Sequence, residues 1–307
     1  MLEQLSAYPN LSRVVAEVLS IWPEHDSYVE ARFAGDPPDF LQRADEFAEL
    51  AVRNMGDDIR LYCQDYRWMC EQFLEEDLFF VRHGRYRLQS FAEAYEQVYS
   101  RPEYMARYVR GILISQIIWR PHAVAFDLFR TEFLPGIPSG GDYLEVGPGH
   151  GFFLYFAAQQ PLGKIEAWDV SASSITETRS ALSRLGVTRD ITIVGQDVLV
   201  APTRNDEFDA AVISEVLEHL EQPGAALKSL RSALRPGGRI FINAPINSPA
   251  PDHIYLWRDP DEFTSFVEEQ GFEIESRHFL PVTGHTLDRA LRRKLSVSCI
   301  VIGKKVD

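Results

Sequence analysis

The sequence predicts an α/β fold: a doubly wound, seven-stranded sheet preceded by a mostly helical region. Three observations carry this. After residue 138 short apolar runs alternate with helix-length segments, which is the pattern of a parallel sheet covered on both faces. The first of those runs ends in the turn Asp142-Tyr-Leu-Glu-Val-Gly-Pro-Gly-His-Gly151, where alternate glycines permit positive φ and close approach of a ligand to backbone. Before residue 135 the apolar positions repeat mainly at helical spacing.

In chain order, Leu11, Val14, Val15, Val18 and Leu19 fall on one face of a first helix. Tyr62, Tyr66, Met69 and Phe73 share a face of a second, which also holds Cys63 and Cys70 two turns apart. Leu78 to Leu88 reads as two short strands joined at His83-Gly84, a wing of the winged-helix kind. Gly111 to Trp119 reads as a buried helix, too short to span a bilayer. The turn formers of Leu134-Pro-Gly-Ile-Pro-Ser-Gly-Gly141 mark a linker, so the expected domains are 1–135 and 136–307. Strands are expected at 142–146, 164–169, 191–195, 208–213, 238–244, 272–280 and 296–303.

Composition narrows the function classes. With 45% hydrophobic residues in 307, the chain can bury a substantial core. A net charge of −14 gives no extended basic surface, and 14 arginines against 22 acidic side chains leave the first 138 residues at −8. Nucleic acid and anionic membranes are therefore disfavoured as partners. The cluster Arg82, Arg85 and Arg87 is expected to be solvated or paired with Glu75, Glu76 and Asp77 rather than to grip DNA. Three scattered cysteines make neither a disulfide framework nor a zinc-thiolate site. Met1-Leu-Glu-Gln-Leu-Ser lacks the pattern of a signal peptide, and a cytoplasmic location is expected.

The glycine spacing is G-x-G-x-G rather than the G-x-G-x-x-G of dinucleotide sites. Glu145 with Gly147, Gly149 and Gly151, then Asp169, Asp197, Glu215 to His219 and Leu234-Arg-Pro-Gly-Gly238 together resemble class I S-adenosylmethionine-dependent methyltransferases over residues 138 to 307. The resemblance implies a Rossmann-like sheet with an antiparallel last strand, and S-adenosylmethionine as cofactor. Glu145 would face the ammonium end, with backbone N–H groups around Gly147, Gly149 and Gly151 against the ligand. Asp169 would accept the ribose hydroxyls. Asp197 and Val198 would flank the adenine, and Ser214 completes the cofactor-binding set. A strand-end Asp169 also has a bland reading, as a cap for the helix beginning near Ser171. His150, inside the turn, is not read as catalytic. The wing and the long helix behind it loosely resemble the N-terminal dimerisation domain of natural-product O-methyltransferases, so a homodimer enters as an expectation.

Beyond the fourth strand, Glu215, Glu218 and His219 lie three and four residues apart, a spacing expected to place them on one helix face. His253 follows in the loop after the next strand, expected beside the methyl group. This set resembles the Glu-x-x-Glu-His segment and later His of ubiquinone-biosynthesis O-methyltransferases and small-RNA 2′-O-methyltransferases. It implies a divalent metal, magnesium, manganese, iron or zinc, held by Glu215, Glu218, His219 and His253. Without a metal, His253 or His219 serves as general base, with Glu215 beside the cofactor. Tyr255, Trp257 and Trp119 are candidate pocket walls. The reading is an enzyme that moves a methyl group to a hydroxyl oxygen of a small molecule. The alternatives are an RNA or protein methyltransferase and a non-catalytic cofactor- or DNA-binding regulator.

Overall fold

The computed structural model describes residues 5–200 and 205–306; the first four residues, part of the segment read for a signal peptide, lie outside them. The chain forms two compact units. One ends at Asp127 and takes in two later segments, Ser248–Ile254 and Pro281–Ser296. The other comprises Leu128–Asn247, Tyr255–Leu280 and the chain from Val297 onward.

The first unit is helical. Its longer helices are α1 (Pro9–Ile21), α2 (Asp26–Phe33), α3 (Pro38–Met55), α4 (Ile59–His83) and α5 (Pro102–Ile118), with α6 (Arg120–Leu128) leading out of it. Proline at the first helical position of α1, α3 and α5 costs no hydrogen bond, because that N–H has no intrahelical acceptor. Leu11, Val14, Val15 and Val18 are buried on α1, as their spacing requires, and Leu113 to Ile118 are buried on α5. Cys63 and Cys70 are free thiols.

The strand pair expected over Leu78–Leu88 does not form. Instead α4 continues through His83, and Gly84 (φ 66°) ends it by donating its N–H to Phe80 O at 2.7 Å. The His83-Gly84 pair is thus a helix stop of the left-handed type rather than a hairpin turn. Burial of Cys63, Tyr66, Met69, Glu76 and Phe80 holds one face of α4 against its neighbours, which outweighs the strand preference of Phe79-Phe80-Val81. Arg87 pairs with Glu76 at 2.8 Å, the structural role foreseen for that cluster.

Helices α4 and α5 pack tightly at Gly111. A Cβ there would sit 2.9 Å from Met69 Cβ and 3.0 Å from the Asp65 carbonyl oxygen. Asp65, itself buried, accepts from Arg107 Nε (2.8 Å) and Arg110 Nε (2.6 Å), so charge fastens the same crossing.

The second unit is built on seven strands: β1 (Tyr143–Val146), β2 (Ile165–Asp169), β3 (Thr192–Gly195), β4 (Phe208–Ser214), β5 (Leu234–Ile246), β6 (Phe272–Pro281) and β7 (Val297–Lys305). Their order is β3-β2-β1-β4-β5-β7-β6. The first five are parallel, and β7 pairs antiparallel with β5. Helices α7 (Phe152–Ala158), α8 (Ala172–Arg184), α9 (Pro223–Ala233) and α10 (Pro260–Glu269) connect them. All of β1 and the run Ala210–Ile213 of β4 are buried, as expected for parallel strands covered on both faces. Because β2 and β4 lie on opposite sides of β1, the chain reverses direction across the sheet there. The carboxyl ends of β1 and β4 therefore flank the crevice where such folds bind ligands.

Replacing Gly111 with Val should force α4 and α5 apart and lower unfolding stability by about 1–3 kcal/mol, measurable by urea denaturation. An unchanged midpoint would show that the crossing is looser than these distances imply.

Candidate functional site

The glycine turn leaves β1 with Gly147, Gly149 and Gly151 at φ 67°, 50° and 73°, a region that side chains with a Cβ rarely adopt. At Gly147 space is also limiting, since a Cβ would meet Val216 Cγ2 at 2.6 Å. The turn is held from two directions: Gly147 N–H donates to Trp168 O (2.9 Å), and Thr178 Oγ1 on α8 donates to Gly149 O (2.7 Å). His150 packs on Phe152, and burial lowers its pKa to about 4, so it is a neutral packing residue.

Glu145 projects from β1 into the interior, 2% exposed, and its Oε2 accepts from the Tyr143 hydroxyl at 3.0 Å. Burial raises its pKa to about 8, partly offset by that hydrogen bond. A carboxyl so placed is neutral until a cation arrives, which suits it to an ammonium group. Asp169 ends β2. Its Oδ1 accepts from Ser171 N (2.8 Å) and its Oδ2 from Ser174 Oγ (2.6 Å). The capping contribution is therefore present, while a carboxylate with about four acceptor positions keeps capacity for two ribose hydroxyls. Asp197 accepts from Leu199 N–H at 2.8 Å in a tight turn after β3, and Val198 is buried beside it.

The segment after β4 differs from expectation. Glu215 has φ 53°, and only Leu217–His219 forms a single 3₁₀ turn. Glu215, Glu218 and His219 therefore do not lie along one α-helical face, because the left-handed residue redirects the chain before the turn begins. Burial raises the pKa of Glu215, offset in part by the neighbouring Asn243 and Glu218 side chains. Glu218 is fully buried, with His219 Nε2 3.8 Å from its Oε1. Ser214 accepts from Asn243 Nδ2 (3.1 Å), and Glu215 N–H donates to Asn243 O (2.8 Å). Glu215 Oε1 and Asn243 Oδ1 are buried without a hydrogen-bond partner among the described residues, which marks the ends of β4 and β5 as a place for polar ligand groups.

His253 belongs to the segment Ser248–Ile254 of the helical unit. It is 6% exposed, its Nδ1 lies 2.7 Å from Ser248 O, and its ring meets Tyr86 edge to face. Of the candidate pocket aromatics, Trp119 donates its Nε1–H to Tyr66 Oη (3.0 Å) inside the helical unit. Trp257 is 1% exposed and packs against Phe263 and Tyr255. Trp257 is therefore core, whereas Trp119 is half-buried. Tyr255 donates its N–H to Glu218 O (3.0 Å), tying the turn to the next segment of the sheet unit.

Sequence reasoning missed Tyr143, Asn243, Ser174 and Asp252. Tyr143 was within reach of it, since residues i and i+2 of a strand share a face; the other three depend on tertiary contacts. For Glu145, whose folded pKa lies above its unfolded value, the stabilising contribution is complete below about pH 4.5 and is lost as pH rises through about 8. Glu145→Gln should therefore stabilise the cofactor-free protein at pH 8, by on the order of 3 kcal/mol, with little effect at pH 4.5. The same substitution should weaken S-adenosylmethionine binding by tenfold or more. Thermal denaturation across pH and calorimetric titration check both.

A family model described as a methyltransferase domain matches residues 119–294, more than half of the chain. Among curated proteins, a ubiquinone/menaquinone biosynthesis C-methyltransferase UbiE of Pseudomonas savastanoi pv. phaseolicola is 24% identical over 158 residues, covering 51% of this chain and 58% of that protein. A ubiquinone biosynthesis O-methyltransferase of Xanthomonas axonopodis pv. citri is 31% identical over 114 residues, 37% of this chain and 46% of that protein. The chain thus spans only about half the length of these relatives. Among solved structures, a putative methyltransferase of Bacillus halodurans superposes with a TM-score of 0.50 at 14% identity, over 59% of this chain and all of that one. The [4+2]-cyclase SpnF gives 0.50 at 17%, over 61% and 83%; both likenesses concern the fold. By its family match and its strand order, this chain belongs to the methyltransferase-domain family, with the class I S-adenosylmethionine-dependent methyltransferase fold.

Proposed function

We infer that the protein transfers a methyl group from S-adenosylmethionine to a hydroxyl oxygen of a small molecule. The observation that carries this is the arrangement around the β1 turn. A buried, cation-seeking Glu145 precedes three left-handed glycines, and a second acid, Asp169, ends the neighbouring strand. The fold alone does not decide the chemistry, as the cyclase neighbour illustrates. The donor, when bound, supplies an already activated methyl group, so the chain's own residues have to position an acceptor and take its proton. Support for a small acceptor comes from the net charge of −14, which opposes an RNA phosphate backbone.

His253 is assigned as the group that receives the acceptor's proton, and such a base contributes about 10²–10⁴-fold. A metal-assisted reading is favoured by one observation: two buried carboxyl groups, Glu215 and Glu218, follow one another after β4, with His219 Nε2 3.8 Å from Glu218 Oε1. Mixed O/N donors of this kind suit a divalent cation. From the sequence resemblance, Glu215, Glu218, His219 and His253 would hold it. Such an ion would lower the pKa of the acceptor hydroxyl.

The decisive assay supplies S-adenosylmethionine with a panel of catechols, hydroxy acids and phenols and follows S-adenosylhomocysteine. His253→Ala should lower kcat by about 100-fold or more with donor affinity unchanged. Activity lost on chelation and in Glu218→Ala would select the metal reading, and activity indifferent to both would remove it. Tight, salt-sensitive RNA retention on a filter would displace the small-molecule assignment.

A further inference from the structure

The loop that carries His253 is held by an unusual concentration of tyrosine hydroxyls from the helical unit. Asp252, 3% exposed, accepts from Tyr108 Oη at 2.8 Å and from Tyr99 Oη at 3.1 Å. Tyr86, 1% exposed, accepts the N–H of Ser248 at 2.9 Å, and its ring lies edge-on to His253 at 5.9 Å between centroids. Both ends of a six-residue stretch, Ser248 to His253, are thus fixed by buried side chains. The prolines at 249 and 251 stiffen the span between them. A buried carboxylate satisfied by phenol donors is a costly arrangement to assemble merely to close a surface loop, since any missing partner leaves a charge desolvated.

The consequence falls on the imidazole. His253 Nδ1 lies 2.7 Å from Ser248 O, and a carbonyl oxygen can only accept, so Nδ1 carries the hydrogen. In the neutral ring the lone pair is then on Nε2. We propose that Tyr86, Tyr99, Tyr108 and Asp252 are positioning residues that hold the Ser248 carbonyl against Nδ1 and so fix His253 in its Nδ1–H tautomer. This inference rests on the assignment of His253 to the acceptor side, and its test separates the two.

The experiment is ¹⁵N NMR of the full chain with labelled histidine at pH 8, which distinguishes Nδ1–H from Nε2–H imidazole, paired with kinetics. The native protein should give His253 as a single Nδ1–H tautomer. Tyr86→Phe, which removes the acceptor for Ser248 N–H and keeps the ring, and Asp252→Asn should give mixed tautomers. Each should lower kcat tenfold or more, with donor affinity and KM within about twofold. Tyr99→Phe, which removes the longer of the two bonds to Asp252, provides a milder variant should Asp252→Asn fail to fold. An Nε2–H tautomer in the native protein, or a retained single Nδ1–H signal with full kcat in the folded variants, would overturn the proposal. Mixed tautomers in the variants together with full activity of His253→Ala would instead leave the loop's positioning role intact and remove the assignment of His253 to catalysis.

Discussion

Glu145, a carboxyl buried in a parallel strand and hydrogen-bonded by the Tyr143 hydroxyl, is the constraint on which the proposed cofactor site depends. Glu145 cannot ionise cheaply in that position. On the proposed function, the donor's ammonium group would offset that cost. The flanking glycines keep the neighbouring turn open, since a Cβ at Gly147 would already collide with Val216. Thr178 and Trp168 then fix the turn so that the space stays open.

The second organising feature is the way the sheet unit lends two segments to the helical one. Ser248–Ile254 leaves the end of β5, and Pro281–Ser296 lies between β6 and β7; each packs with the chain that ends at Asp127. Thr283 Oγ1, for example, accepts from Arg120 N–H at 3.1 Å. Changes in the helical unit can thereby alter the setting of His253.

The sheet was legible in the sequence, because its apolar runs alternate with helix-length segments, and the seven runs in the second half of the chain each became a strand. The helical unit and the turn after β4 were less legible. Leu78–Leu88 contains β-prone aromatics, yet packing along α4 overrode them and His83-Gly84 became a helix stop. The spacing of Glu215, Glu218 and His219 is helical on paper, but the positive φ of Glu215 is a backbone property that no spacing reveals. Asp252 and its tyrosines lie 144 and 153 residues apart in sequence, so nothing local announces their contact.

The central claim, that a neutral buried Glu145 becomes the counter-ion of the donor's ammonium group, is tested most directly by counting protons. Calorimetric titration of the protein with S-adenosylmethionine at pH 7, in buffers of different ionisation enthalpy, should show release of close to one proton per donor bound, since about 9 in 10 of the carboxyls are protonated beforehand when the pKa is about 8. Glu145→Gln should abolish that release. Tight donor binding with no proton exchange in the native protein would contradict the account.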